Sequence, residues 1–178
     1  MTVFDFPTPG LTSQELYAQK MQVRNYIRDA TDPNESGANG RSLLLLSLIG
    51  CFEGDGESVV SDLLNRGADP NLPSPWNTFV TLLSVSNSLP QVKQFVDRGL
   101  RINDVYEIDK ENGGLTRGPT TLLDHLYGVR AYIAPKRKKI NALADKYAGG
   151  LGSRRKFIDE AIAFLESRGA KRAADLQS

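Results

Sequence analysis

The sequence predicts an all-α protein, a solenoid of helix–turn–helix units joined by projecting hairpin loops. The first observation is a helix-ending pattern at residues 63–67, Leu-Leu-Asn-Arg-Gly, which is followed by Ala-Asp-Pro-Asn. Gly67 suits the left-handed backbone conformation that closes a helix, because it has no Cβ atom. The second observation is that an Arg-Gly pair ends a similar apolar segment at Gly99 and again at Gly169. Recurring helix ends are typical of repeat units that stabilise one another by stacking.

The spacing of these glycines defines the expected repeat. Gly67 and Gly99 are 32 residues apart, which is the length of one unit of two short helices. Gly99 and Gly169 are 70 residues apart, which fits either two units or one unit with a large insert. A fainter form of the pattern occurs around Ala30, so a helix is expected over about 13–30, after an extended lead-in at the N-terminus.

Each predicted first helix begins with a hydroxyl residue followed by leucines, at Ser42–Leu45, Thr81–Ser84 and Thr121–Asp124. The hydroxyl oxygen can accept a hydrogen bond from a backbone amide in the first turn and so cap the helix. The apolar residues of the paired helices are expected to form the core between units: Leu44, Leu63, Leu64, Leu82, Phe95, Val96, Leu122 and Leu165.

The helix end at residues 63–71 and its recurrences, together with these helix starts, resemble the ankyrin repeat. The Thr-Pro-Leu-His tetrapeptide of that family is incomplete, since its proline and histidine are missing from all three starts. The likeness covers most of residues 14–173. It implies a single domain over 1–178, with an N-terminal cap at 1–38, two repeats at 39–120, and a last repeat at 121–173 that contains a basic insert at about 128–156.

The charge of the chain is concentrated in that insert. Residues 128–156 carry nine Lys or Arg and one acidic residue, Asp145, a net charge of +8, while the whole chain has a net charge of +1. The insert is either a solvated helix whose charges keep it soluble or a surface that contacts phosphates. Its apolar positions are spaced as one helix face, and residues 148–153 are expected to form a flexible, glycine-rich return. The basic patch is Lys136, Arg137, Lys138 and Lys139.

Two connections between predicted helices carry the candidate contact residues. In the family, such connections form β-hairpin fingers, and the one at residues 103–120 is elongated and acidic in its first half. Trp76 follows Pro75 and precedes a polar residue, Asn77. Its side chain is expected either to anchor a partner or to fold back over the edge of the stack. The partner-binding residues are predicted to be Trp76, Asn77, Tyr106, Glu107, Asp109, Glu111 and Arg117.

The sequence offers little for catalysis. It contains one histidine, His125, and one cysteine, Cys51, so it predicts neither a His/Cys metal site nor a disulfide framework. A Cys51–His125 dyad is possible in principle, but no spacing supports it. We expect no enzyme activity, no cofactor and no small-molecule substrate. The N-terminal segment lacks the pattern of a secretory signal and no apolar run is long enough to cross a bilayer, so we expect a cytoplasmic protein without a membrane partner.

The ankyrin resemblance implies that the protein binds another protein. For a small chain without catalytic features, it further implies a stand-alone inhibitor or immunity protein that neutralises a cognate toxin or enzyme. The acidic remainder of the chain would suit a basic partner, such as a toxin or nuclease. The alternative is a nucleic-acid-associated adaptor that uses the basic insert.

Overall fold

The computed structural model describes residues 2–49, 56–72, 88–108, 118–140 and 149–177. For residues 56–58, 108, 133–140 and 149–154, it describes the backbone alone. These residues are mainly helical, as the all-α prediction requires. In chain order the elements are a 3₁₀ turn (Val3–Asp5), α1 (Ser13–Asp29), α2 (Leu43–Ile49), α3 (Gly56–Asn65), α4 (Leu89–Asp97), β1 (Tyr106–Ile108), β2 (Gly118–Thr120), α5 (Leu122–Ile140), α6 (Gly149–Ser167) and α7 (Ala173–Leu176).

The chain forms two compact units. We call Met1–Ser86 with Pro90–Leu100 the N-terminal unit, and Asn87–Leu89 with Arg101–Ser178 the C-terminal unit. Each unit has its own buried apolar residues, and each is described here by itself.

In the N-terminal unit, α1, α2 and α3 pack against one another. Thr12 caps α1, because its hydroxyl oxygen accepts a hydrogen bond from the amide of Glu15 at 3.3 Å. The buried residues of α1 are Gln19, Val23 and Ile27. Their spacing of four residues places them on one face of the helix, which faces the core.

The lead-in before α1 is not simply extended, as the sequence predicted. It contains the 3₁₀ turn, and both Phe4 and Phe6 are buried. The carbonyl oxygen of Phe4 accepts a hydrogen bond from the side-chain Nδ2 of Asn39 at 2.7 Å, and the guanidinium of Arg41 donates to the carbonyl of Phe6. Removing two aromatic rings from water stabilises this segment against the body of the unit.

The predicted helix starts and core residues can be checked at most positions. The hydroxyl oxygens of Ser42 and Thr121 accept hydrogen bonds from the amides three residues later, at 3.2 and 3.3 Å, so both predicted caps are confirmed. Six predicted core residues are at most 2% exposed: Leu44, Leu63, Leu64, Phe95, Leu122 and Leu165. Val96 is only partly buried, and Thr81 and Leu82 lie outside the described residues.

In the C-terminal unit, β1 and β2 pair as an antiparallel hairpin in which Tyr106 lies opposite Thr120 and Ile108 opposite Gly118. Helices α5 and α6 then pack against each other. The described residues of the basic insert belong to α5, which continues to Ile140, and to α6, which begins at Gly149. The insert therefore lengthens both helices of one pair.

The prediction of a flexible return at residues 148–153 is wrong for residues 149–153, which form the first turn and a half of α6. Glycine in a helix costs roughly 1 kcal/mol relative to alanine, so local propensity alone disfavours this start. Helix α6 packs along α5, and tertiary contacts of this kind supply most of the stability of helices in proteins.

Candidate recognition surface

Three helices end with the same backbone hydrogen bond. The amide of Ala68 donates to the carbonyl of Leu63, that of Leu100 to Phe95, and that of Ala170 to Leu165, at 2.9, 3.0 and 2.9 Å. In each case the residue before the donor is a glycine with positive φ, at 95°, 89° and 83° for Gly67, Gly99 and Gly169. This is the pattern of a Schellman-type C-cap. The predicted role of the Arg-Gly pairs in ending helices is therefore confirmed.

Within the N-terminal unit, an asparagine side chain that follows α1 then binds the turn that ends α3. The Nδ2 of Asn34 donates to the carbonyl of Gly67 at 3.2 Å. Its Oδ1 accepts a hydrogen bond from the amide of Asp69 at 2.7 Å. The side-chain amide thus satisfies one acceptor and one donor of the turn, and we call this paired contact the asparagine clasp.

The clasp recurs in both units. In the C-terminal unit, Asn103 donates to the carbonyl of Gly169 at 3.1 Å and accepts from the amide of Lys171 at 2.8 Å. In the N-terminal unit, Asn71 also donates to the carbonyl of Gly99 at 3.0 Å. Among the described residues between Gly99 and Gly169 there is one helix pair, α5 and α6.

The arginine of two Arg-Gly pairs caps the helix of the preceding pair. Arg66 donates to the carbonyl of Ile27 at 3.0 Å and to that of Ala30, at the end of α1. Arg98 donates to the carbonyl of Leu64 at 2.9 Å and to the side-chain oxygen of Asn65, at the end of α3. The last carbonyls of a helix have no partner within it, so these guanidinium groups satisfy acceptors that would otherwise face water.

In the C-terminal unit, Asp124 holds the segment that follows α6. Its carboxylate accepts a hydrogen bond from the Nε of Arg172 at 2.7 Å and from the amide of Ala173 at 2.8 Å. The hydroxyl of Thr121 donates to the carbonyl of Lys171 at 2.9 Å. Burial alone would raise the pKa of Asp124, but hydrogen bonds from Ala173, Arg172 and Thr121 outweigh it and lower the pKa below its ordinary value.

The hairpin β1–β2 forms the base of the predicted finger at residues 103–120. Tyr106 is half-buried, and burial together with the nearby Asp104 raises the pKa of its phenol to about 12. Asp104 forms an ion pair with Arg101 at 3.0 Å, so part of the predicted acidic character is neutralised. Glu107 is exposed. Five predicted contact residues lie outside the described part of the chain: Trp76, Asn77, Asp109, Glu111 and Arg117.

Helices α5 and α6 run antiparallel, as two side-chain contacts show. The hydroxyl of Tyr127 donates to the carboxylate of Glu166 at 2.7 Å, and Arg130 forms an ion pair with Asp159 at 2.8 Å. Moving forward along α5 thus corresponds to moving back along α6. Lys136, Arg137, Lys138 and Lys139 occupy the last part of α5, near the start of α6. We call residues 130–140 with 149–156 the basic hairpin end.

Of the two residues considered for catalysis, the structure describes His125 alone. His125 is 5% exposed, and its backbone amide donates to the carbonyl of Thr121 at 3.1 Å. Cys51 lies outside the described residues. Within the described ranges, no cluster of His, Cys, Asp or Glu could hold a metal ion. In the same part of the chain, no helix is both long enough and apolar enough to cross a membrane.

Comparisons with protein-family models, curated proteins and solved structures found no match to this chain. Function is therefore inferred from its own contacts and charges. The sequence did not predict the roles of Asn34, Asn71 and Asn103, although a signal is present. Each asparagine lies four residues after the helix-ending position, which is Ala30, Gly67 or Gly99.

Proposed function

We propose that this chain is an ankyrin-type repeat protein that binds another protein. The observation that carries the proposal is the asparagine clasp, which recurs at the same offset from the helix end in both units. A side chain that binds a helix-ending turn at a fixed position stiffens the helices within each unit. Such stiffened helices hold their connecting loops in defined positions, and binding residues are commonly placed on loops held by a rigid scaffold.

The contact surface in this proposal is the finger built on β1–β2 together with the start of α5, which contacts β2. Glu107 is exposed on β1, and Tyr106 presents a neutral phenol, since its pKa of about 12 lies far above physiological pH. Tyrosine is frequent at interface hot spots because a large ring loses little conformational entropy on binding. Trp76 in the other connection is proposed as a second anchor.

The proposed partner is a basic protein, and the proposed role is that of a cytoplasmic inhibitor or immunity protein. The first half of the connection that carries the finger, residues 103–112, has four Asp or Glu against one Lys, a net charge of −3. A surface with one sign of charge speeds the encounter with a partner of the opposite sign. A toxin or nuclease that itself binds nucleic acid carries the positive charge that an acidic surface attracts.

The test is comparative capture from the native source with three forms of the protein. Wild type and the control Asp97→Lys, which changes an exposed charge at the end of α4, are expected to retain one protein in equal amounts. The finger variant Tyr106→Ala/Glu107→Lys is expected to lose it, at least tenfold in the affinity then measured with the purified protein. Equal retention by all three forms would rule out the finger as the contact surface. Loss with both variants would point to a general charge effect.

A further inference from the structure

Among the described side chains of the basic hairpin end, three cations face two carboxylates of α6. Arg130 and Arg155 both approach the carboxylate of Asp159, at 2.8 and 3.7 Å, so two cations share one anion. Lys156 is paired with Glu160 only at 3.7 Å, and its side chain is 77% exposed. Asp159 and Glu160 therefore offset part of the charge of three basic residues.

Beyond these pairs, the charge increases toward the end of the hairpin. Lys136, Arg137, Lys138 and Lys139 follow in α5, and Arg154 precedes the described basic residues of α6. Because α5 and α6 are antiparallel, these positions fall at the same end of the helix pair. From Arg130 to Ile140 the helix axis spans about 15 Å, enough to follow several phosphates of a nucleic-acid strand.

An exposed aromatic ring accompanies this charge. Tyr132 lies in α5 and is 45% exposed. It follows Arg130 by two residues and precedes Lys136 by four. Positions four apart are neighbours on one face of a helix. Base stacking on exposed rings beside a positively charged track is how proteins bind single strands without reading their sequence.

We propose that the basic hairpin end binds a single nucleic-acid strand, with its Lys and Arg residues contacting phosphates and Tyr132 stacking on a base. This activity goes beyond the proposed protein recognition and uses a different surface, so either can fail without the other. The C-terminal unit as a whole has fifteen Lys or Arg against ten Asp or Glu, a net charge of +5. The field of the unit thus has the sign that attracts a polyanion.

The experiment measures binding of the full chain to a fluorescently labelled oligonucleotide of about twenty nucleotides by anisotropy, at several salt concentrations. We expect the logarithm of the affinity to fall linearly with that of the salt concentration, by about 0.7 for each phosphate contacted. A variant without four of the positive charges is expected to bind at least tenfold more weakly at low salt: Lys136→Gln/Arg137→Gln/Lys138→Gln/Lys139→Gln. The slope of log affinity against log salt concentration is expected to decrease in magnitude by up to about 3. Glutamine keeps helix propensity close to that of lysine, so α5 is retained.

The matched control removes four positive charges from the N-terminal unit, as Lys20→Gln/Arg24→Gln/Arg28→Gln/Lys93→Gln. It is expected to bind within about twofold of wild type, since the phosphate contacts are local. An equal loss with the control, or no anisotropy change at low salt with wild type, would overturn the proposal. Far-ultraviolet circular dichroism of each form verifies that the fold is kept.

Stacking and competition test the nature of the ligand. Tyr132→Ala is expected to lower the affinity about fivefold to tenfold, whereas Tyr132→Phe retains it because the ring remains. Equal affinity of the Ala variant and wild type would remove the stacking role. Competition by polyglutamate or by vesicles containing phosphatidylserine, as strong as that by unlabelled oligonucleotide, would show that charge alone is recognised and would contradict a nucleic-acid site.

Discussion

The N-terminal and C-terminal units use the same clasp across very different stretches of chain. Asn34 reaches Gly67 across 33 residues, whereas Asn103 reaches Gly169 across 66 residues. The geometry at the clasp is nevertheless alike, with two hydrogen bonds of similar length in each unit. The comparison teaches that the clasp fixes where a helix pair starts and ends, while additional residues extend the helices between those points.

The units differ more in charge than in their backbone contacts. The net charge is −4 for the N-terminal unit and +5 for the C-terminal unit, although the whole chain is close to neutral. The additional residues of α5 and α6 bring most of the positive charge. The same clasp geometry therefore occurs in two units of opposite net charge.

The largest expected effect tests whether the equivalent core positions contribute alike. Leu63 and Leu165 each lie four residues before the helix-ending glycine and are 0% exposed. We expect Leu63→Ala and Leu165→Ala each to lower the free energy of unfolding by about 2–5 kcal/mol, because each leaves a cavity in a packed core. Urea unfolding monitored by circular dichroism measures both. A cost below 1 kcal/mol at either position would break the equivalence of the two units.

The next prediction concerns Asp124, which lies three residues after the helix cap Thr121. The matching position of the N-terminal unit, three residues after Ser42, is a leucine, Leu45. Asp124→Ala is expected to cost about 2–4 kcal/mol at pH 7, because it removes charge-assisted hydrogen bonds with Arg172 and Ala173. The folded pKa is lowered, so this stabilisation is present above about pH 4 and is lost as the pH falls through the folded pKa.

The measurement is unfolding of wild type and Asp124→Ala at several pH values from 7 to 2. The difference between them should shrink as the pH drops below about 4. Asp175→Ala, which changes an exposed carboxylate of the same unit, is expected to cost less than about 1 kcal/mol. A difference that stays constant from pH 7 to 2 would mean that the Asp124 carboxylate is not the group responsible.

The clasps themselves should contribute equally in the two units. Asn34→Ala and Asn103→Ala each remove two hydrogen bonds, so we expect a loss of about 1–3 kcal/mol for each. Asn25→Ala in α1 changes an exposed asparagine and is expected to have an effect below about 0.5 kcal/mol. Chemical unfolding of the three variants gives the comparison, and a loss confined to one unit would show that the clasps are not equivalent.

The smallest effect concerns the helix-ending glycines. Gly67→Ala and Gly169→Ala are expected to cost about 1–2 kcal/mol each, from left-handed backbone strain alone, because no atom lies within 4 Å of the added Cβ. Ala30 has φ −60° and ψ 132°, so Ala30→Gly relieves no strain and should not stabilise the protein. Thermal unfolding measures the change in stability of each variant. A stabilising effect of Ala30→Gly would contradict the difference between the end of α1 and the helix ends at Gly67 and Gly169.

Much of the helix punctuation was predictable, because it depends on local chemistry. Gly67 and Gly169 end helices, and Ser42 and Thr121 begin them, through interactions within a few residues in the chain. The helical content followed from these signals. The strand pair β1–β2 lies within residues 103–120, where the ankyrin resemblance implies a hairpin.

Contacts between distant residues were not predictable from the same signals. Phe4 and Phe6 lie in a segment rich in proline and read as a lead-in, and their burial depends on Asn39 and Arg41 more than 30 residues later. The start of α6 at Gly149 opposes local propensity and depends on packing along α5. The sequence motifs contain all three clasp asparagines, Asn34, Asn71 and Asn103. Their role depends on hydrogen-bond partners that lie 28 to 66 residues away in the chain, which local signals do not identify.

The most direct test of the shared clasp is amide hydrogen exchange at Asp69 and Lys171, the two backbone donors to the asparagine oxygens. Both amides should exchange slowly in wild type, relative to exposed loop amides. Asn34→Ala should accelerate exchange at Asp69 and leave Lys171 unchanged, while Asn103→Ala should do the reverse. Fast exchange of Lys171 in wild type, or its indifference to Asn103→Ala, would show that the long interval between Gly99 and Gly169 is not closed by the same clasp.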